Sequence, residues 1–144
     1  MAGFDVGAQR SGLAARLATV PNLRVATVVP DDVIPPMAII APADPFVDYH
    51  LAMGKGLAEA DWRIIVAVSK TPGAATQDLL DDYLSSGTGH TLSIIDALEA
   101  DKTLGGAAQH IHVGQPRAYG VIQLNEQVSF VGFELPVVTR TARQ

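Results

Sequence analysis

Two histidines separated by one residue, His110 and His112, are the pair whose types and spacing come nearest to a metal site. Residues i and i+2 of a strand point to the same face, so both imidazoles could bind one ion. A metal site needs a further ligand, and the neighbouring sequence offers none; His50 or an aspartate would have to be brought in by the fold. Histidines at this spacing more often lie on a solvated strand face, so we expect no metal site.

A phosphate-binding loop and a catalytic nucleophile are also poorly matched. Residues 54–56 (GKG) lack the spacing and the Ser or Thr of a P-loop. Ser85, Ser86 and Ser93 are not preceded and followed by the glycines of a nucleophile elbow. We therefore predict a protein that is not an enzyme and needs no cofactor, although a triad assembled from distant segments would not be visible in this way.

Three aspartates, Asp78, Asp81 and Asp82, could be mistaken for paired catalytic carboxylates. They fall between apolar residues that recur with helical periodicity, which predicts a helix with one apolar and one acidic face. The apolar positions are Leu79, Leu80, Tyr83 and Leu84. Aspartates on the outer face of such a helix are usually solvated, so this segment is interpreted as structural.

The composition favours a protein that associates with other subunits. The chain has 144 residues, of which 48% are hydrophobic and only 17% are charged, against about 25% charged residues in typical soluble domains. A single domain of this size has a large surface for its volume and needs charge to remain solvated. We expect the excess apolar surface to lie in subunit contacts; a packed monomer with an uncharged polar surface is the alternative.

Charge, cysteine content and hydropathy exclude several broad classes. No cysteine is present, which excludes disulfides, thiol catalysis and thiolate metal sites. The formal net charge of −5 disfavours a general nucleic-acid binder, although an acidic wall would let DNA slide past. The longest apolar runs, such as residues 64–68, are too short to cross a bilayer, and the N-terminus has no signal-peptide core. A soluble protein without membrane association is expected.

The first half of the sequence predicts one helix and several strands separated by proline-rich corners. The helix covers residues 7–19 and ends before Pro21. Strands are predicted at 23–29, 37–41 and 46–51, a loop at 31–36, and a flexible loop from 54 to about 60. The segment 62–69 is apolar on both faces, so we expect it at the centre of the sheet.

Residues 76–106 predict two short helices around a glycine-containing turn that also contains His90. Ser93 and Asp96 fit a capping box at the start of the second helix. Its inward residues would be Ile94, Ile95 and Leu98. Gly105 and Gly106 provide the positive φ angles with which helices end.

The remaining sequence predicts strands at 107–114, 118–124 and 127–138, with a hairpin turn at 125–126. The expected core positions of the last strand are Val131, Phe133, Leu135 and Val137. Pro136 suggests that this strand ends nearby or lies at an edge. Residues 1–6 and 139–144 are expected to fray. The order predicts one α+β domain, 1–144, whose mixed or antiparallel sheet is covered on one face by the N-terminal helix and the central helix pair.

Several phrases, taken in order, carry a family resemblance. They are residues 30–36 (PDDVIPP), 41–42 (AP), Tyr49, 80–84 (LDDYL), 93–99 (SIIDALE) and 103–106 (TLGG). Together they resemble the tail terminator proteins of siphophages, the long, non-contractile-tailed phages, of actinobacteria. The resemblance extends from about Leu13 to Val138, and its motifs are structural rather than chemical.

The resemblance implies a virion protein at the head–tail junction, made and assembled in the host cytoplasm. Its subunits would form a ring, most often a hexamer, on the head-proximal end of the tail tube. The ring would stop further tail tube protein from adding and would present a docking surface to the head-closure or connector protein. Genomic DNA would pass through without specific binding.

Two groups of residues are candidates for these contacts. Met53, Gly54, Lys55, Gly56 and Leu57 are predicted to form an exposed assembly loop, with a plain solvent loop as the alternative. Aspartates are expected to line the channel, because a basic wall would hold DNA by its phosphates. The candidates are Asp31, Asp32, Asp81 and Asp82.

Two other functions remain open at the level of sequence. The protein could be another neck protein, for head closure or tail completion, since those proteins share related folds. In a different class, it could be a small α+β ligand-binding domain or enzyme, for which a buried polar pocket and a stable monomer or dimer would be expected.

Overall fold

The computed structural model describes residues 4–28, 34–49, 57–70, 73–123 and 129–142. Within them the chain forms three helices, one 3-10 turn and six strands. In chain order these are α1 (Val6–Leu17), β1 (Arg24–Ala26), β2 (Met37–Asp48), β3 (Leu57–Ser69), α2 (Ala74–Leu84), α3 (Ile94–Glu99), the 3-10 turn (Leu104–Gly106), β4 (His110–Val113), β5 (Arg117–Gln123) and β6 (Ser129–Ala142). The predicted α+β class is confirmed.

The strands form one mixed sheet in the order β1-β2-β3-β6-β4, and β5 also pairs with β6. Strand β1 runs parallel to β2, and every other pairing is antiparallel. Strand β3 lies in the middle, as its two apolar faces predicted. Strands β4 and β5 lie one after the other along the same side of β6, with residues 114–116 between them.

The helices cover one face of the sheet and bury its main core. Alternation along β3 sends Trp62, Ile64 and Val66 towards the helices. Leu13 and Leu17 of α1, Leu80 and Tyr83 of α2, and Ile94 and Leu98 of α3 pack on this face, together with the four predicted core residues of β6. The opposite face, here called the outer face, carries a smaller apolar cluster of Ile39, Ala41, Ile65, Ala67 and Phe130.

Local capping explains where the helices begin and end. The Asp5 side chain accepts a hydrogen bond from the Ala8 N–H at the start of α1, and the Ser93 side chain accepts one from the Asp96 N–H at the start of α3. The Asp96 carboxylate does not return to the Ser93 N–H as a full capping box would; it accepts from the Gly87 N–H and the Ser86 hydroxyl. These bonds lower the Asp96 pKa and hold the turn before α3.

Two predictions about the strands are wrong, and a third is not tested. Strand β2 is continuous from Met37 to Asp48, because a register shift between Pro42 and Val47 absorbs the prolines that had suggested two strands. Residues 57–60 belong to β3 instead of a loop, and Ala58 and Ala60 are buried. The predicted hairpin turn at 125–126 lies outside the described residues.

The prediction that Pro136 ends the last strand or lies at an edge is also wrong. Strand β6 continues to Ala142 and lies inside the sheet. The Pro136 carbonyl accepts a hydrogen bond from the Gly114 N–H, so the nitrogen of Pro136 points to the same side, into the gap between β4 and β5. Neither β4 nor β5 pairs with β6 at Pro136. No hydrogen bond between strands therefore requires the N–H that proline lacks, and the proline is tolerated.

The C-terminal strand is ordered further than expected. The predicted fraying of 139–142 is wrong, because Thr139 and Thr141 are fully buried and pair with β3. Residues 143–144 and 1–3 lie outside the described residues. At the other end Asp5 caps α1, and Val6 is already helical.

Candidate assembly surface

Large hydrophobic side chains remain exposed at a few places on the described surface. They are Val28 (66% exposed), Ile34 (54%), Tyr49 (51%), Tyr119 (46%) and Val121 (71%). Single exposed apolar residues are normal in proteins. Tyr119 and Val121 both lie on β5, whereas Val28 follows β1 and Ile34 precedes β2. Four of these five exposed side chains therefore lie on or next to β5 and β1, two edge strands of the sheet.

The first of these is the β5 edge, defined as residues 117–123. Within the described residues β5 pairs only with β6, so its other side offers unpaired backbone groups. A register shift lies between Arg117 and Gly120, and there Ala118 adopts φ 56° and Gly120 φ 127°. The bulge ends at Gly120, and from Gly120 to Gln123 the strand pairs regularly with β6.

Tyr119 fastens the β5 edge to α2. Its hydroxyl donates to Asp81 Oδ1 over 3.0 Å and also contacts the Gln77 side-chain amide. Partial burial, the hydrogen bond to Asp81 and the Asp81 charge all raise the Tyr119 pKa, so the phenol stays protonated and remains a donor. Helix α2 and the edge strand therefore form one surface.

The second is the β1 edge, defined as Arg24–Ala26 with the adjoining Val28 and Ile34. Strand β1 pairs with β2 alone among the described residues. The Arg24 N–H donates to the Pro36 carbonyl over 3.1 Å, which ties β1 to the start of β2. Among the described residues no strand lies on the other side of β1, and exposed Val28 and Ile34 adjoin it.

An aromatic group lies near the end of β2. Phe46 meets Trp62 edge to face with ring centroids 4.7 Å apart, and Phe4 meets Tyr49 in the same way at 6.2 Å. Arg10 lies 5.4 Å from the centroid of the Trp62 ring, in a cation–π contact. These contacts connect α1 to the sheet, and Tyr49 remains half exposed.

Ion pairs cross the outer face next to its apolar cluster. Glu134 pairs with Arg63 at 2.5 Å and with Arg117 at 3.3 Å. Burial alone would raise the Glu134 pKa, but the two guanidinium groups outweigh it and lower that pKa. Arg140 pairs with Glu59 at 3.1 Å.

Asp61 stands apart from these pairs. Burial first, and then the nearby Glu59 and Asp48 carboxylates, raise its pKa, against the opposing effect of Arg140. Its Oδ1 atom is buried and has no hydrogen-bond partner among the residues that the structure describes. Burial therefore disfavours the charged form of Asp61.

The candidate residues fall in different places. Met53–Gly56, Asp31 and Asp32 lie outside the described residues, and Leu57 is the first residue of β3. Asp81 and Asp82 are exposed on α2, with Asp81 bound to Tyr119. The structure places neither of these two aspartates against a channel wall, so their predicted role remains a prediction.

The histidine pair has a clear structural context. His110 and His112 lie on one face of β4, both exposed, opposite Arg140 and Val138 of β6. Among the residues that the structure describes, no three His, Cys, Asp or Glu side chains come together as a metal site would require. His90 lies in the turn between α2 and α3, where its N–H donates to the Gly87 carbonyl.

The cavities near the helices are small or shallow. An apolar crevice of about 120 Å³ lies between the helix pair and the gap after β4, and its lining includes Tyr83, Ile95 and Pro116. An open groove of about 460 Å³ separates α1 from the 3-10 turn and is lined mainly by small residues. Neither contains the convergent polar groups of a substrate site.

Comparison with known proteins gives no identification. No protein-family model matches this sequence, and no curated protein is significantly similar to it. Within the described residues, none of the helices is long and apolar enough to cross a membrane.

Sequence reasoning missed the exposure of Val121 and the open edge of β5. An alternation of apolar residues such as Tyr119 and Val121 looks the same whether the strand face is covered or exposed. The ion pairs of Glu134 were also missed, because they depend on strand order. Only Gly120, within the strand, pointed to a bulge.

Proposed function

We propose that this protein is a structural subunit of a siphophage-like tail: the terminator, which forms a ring at the head-proximal end and ends growth of the tube. The resemblance from about Leu13 to Val138 supports this role. The observation that carries most weight is the surface of the domain: in the described part of the chain, two sheet edges have no neighbouring strand and carry or adjoin exposed apolar side chains. Such edges are a liability for a monomer and suit a protein that is covered by neighbours.

The mechanism is physical and involves no bond chemistry. Each subunit presents one patch to a different patch on its neighbour, and the rotation between neighbours closes the ring. One axial face of the ring then matches a tube subunit, and the other face does not. Tube protein cannot add to the second face, which remains free to bind the head connector.

Native mass spectrometry of the purified protein, over a range of concentrations, tests the ring directly. We expect one closed oligomer, most simply a hexamer, in equilibrium with monomer. The same ring should be seen once per particle, between tail tube and head, in electron microscopy of assembled particles. A ring at another position in the neck would indicate a head-closure or tail-completion role, and a single copy per particle would refute the proposal.

A further inference from the structure

We propose that neighbouring copies of this chain join through their sheet edges, with the β5 edge of one copy against the β1 edge of the next. The sheet would then continue from copy to copy. This inference rests on the proposed ring and names the surface that closes it. The occupant of each edge is thus a second copy of the same chain.

The two edges lie at the same level of the sheet, on opposite sides. Two rows of register partners join them. The first row is Arg24, Met37, Ala67, Gly132 and Gly120; the second is Ala26, Ile39, Ile65, Glu134 and Arg117. A neighbour placed beside β5 can therefore continue the sheet without a large shift along the strands.

The strand directions suit such a contact. Strand β1 is parallel to β2, and the pairings of β2 with β3, β3 with β6, and β6 with β5 are all antiparallel. It follows that β1 and β5 of one copy run in opposite directions. Rotation about a ring axis along the strands preserves these directions, so β5 meets the next β1 as an antiparallel partner.

Strand β4, on the same side of the sheet as β5, is a poorer edge for this contact. Its apolar residues Ile111 and Val113 are buried, while its exposed ones are His110 and His112. Helix α3 also packs against β4. Tyr119 and Val121 of β5 are exposed. A neighbour that covers β5 therefore removes more apolar surface from water than one that covers β4.

The helix layer shows a matching separation of charge. Helix α2, fastened to β5 by Tyr119, carries Asp78, Asp81 and Asp82 and no basic residue. Helix α1, which packs against β1 and β2, carries Arg10 and Arg16 and no acidic residue. Joining β5 to the next β1 brings the acidic α2 towards a helix without acidic residues, whereas joining two β5 edges would bring two acidic helices together, so the next copy's β1 edge is favoured.

Thiol cross-linking tests this pairing, and the natural absence of cysteine provides a clean background. The full chain carrying Arg24→Cys and Val121→Cys would be treated with a short bis-maleimide, because Arg24 lies level with Gly120, the neighbour of Val121. Both positions are exposed, so folding should be unaffected. We expect a ladder of covalent oligomers up to the ring size. Val121→Cys alone should stay monomeric on a denaturing gel, because Val121 meets β1 and not another Val121.

Matched variants separate this inference from the proposed function. Lys102→Cys with Val121→Cys replaces the β1 position by an exposed turn residue and should give no ladder. Val121→Asp should shift native mass spectra from ring to monomer with the melting temperature unchanged, whereas Val121→Thr should keep the ring.

Two results would overturn the pairing while leaving the ring intact: a wild-type ring with no ladder from the Arg24→Cys, Val121→Cys variant, or dimers from Val121→Cys alone. Monomeric wild-type protein, both alone and in particles, would instead remove the proposed function on which the inference rests.

Discussion

Thr139 donates a hydrogen bond to Gln9 over 2.6 Å, between side chains 130 residues apart that are both fully buried. Thr139 Oγ1 also accepts from the Trp62 indole N–H at 3.3 Å, and the Gln9 amide donates to Thr141 Oγ1 at 3.1 Å. Each buried polar group thereby gains a partner. The network fixes α1 on the sheet and explains why the polar end of β6 is ordered.

Replacing Gln9 by alanine should destabilise the domain. Gln9→Ala removes two buried hydrogen bonds, to the Thr139 and Thr141 hydroxyls, and each such bond contributes about 0.5–1.5 kcal/mol. Chemical denaturation would measure the change in free energy of unfolding. Gln109→Ala, at an exposed glutamine, is the control and should change it by less than about 0.5 kcal/mol. Equal effects of the two variants would show that the network contributes nothing.

Gly132 should not tolerate even one added methyl group. A Cβ at this position would overlap the carbonyl oxygen of Val66 on the adjacent strand. We expect Gly132→Ala to lose about 3 kcal/mol or more, at or above the upper end of overpacking costs, measured by thermal or denaturant unfolding. Gly73→Ala is the control, because no atom of the described residues lies within 4 Å of a Cβ there. A stable Gly132→Ala protein would contradict the β3–β6 register.

Glu134 should make stability depend on acid pH. Its pKa is lower in the folded protein than its ordinary value of 4.5, so its contribution is present above that value and is lost as the pH falls through the folded pKa. Glu134→Gln should cost about 1 kcal/mol at pH 7, since solvent screens the partly exposed Arg63 and Arg117.

The measurement is the free energy of unfolding from pH 7 down to pH 3. The difference between wild type and Glu134→Gln should shrink towards zero at the acid end. Asp78→Asn, on the exposed face of α2, is the control and should show little difference at neutral pH. If the difference in free energy of unfolding between wild type and Glu134→Gln stayed constant with pH, the ion pairs of Glu134 would not be the source of its contribution to stability.

The sequence predicted those features that depend on local pattern. The central position of β3 followed from its apolar faces, and the packing of Leu80 and Tyr83 followed from helical periodicity. The features that it failed to predict depend on distant partners. Pro136 is tolerated only because β4 and β5 leave a gap beside it, and Thr139 is buried only because Gln9 reaches it.

The candidate surface was predicted less well for the same reason. Whether Val121 is covered depends on where β5 lies in the sheet, and no local pattern encodes that. The expected contact loop at 53–57 starts outside the described residues and ends at the first residue of β3. Asp81 was recognised as exposed, but its bond to Tyr119 required the fold.

Tail length in particles made without functional protein tests the central proposal most directly. The gene would be inactivated in the genome that carries it, or replaced by the Val121→Asp variant, and the particles imaged by electron microscopy. We expect tails of uncontrolled length that do not join filled heads, with normal particles restored by the wild-type gene. Tails of normal length attached to full heads, in the complete absence of the protein, would contradict it.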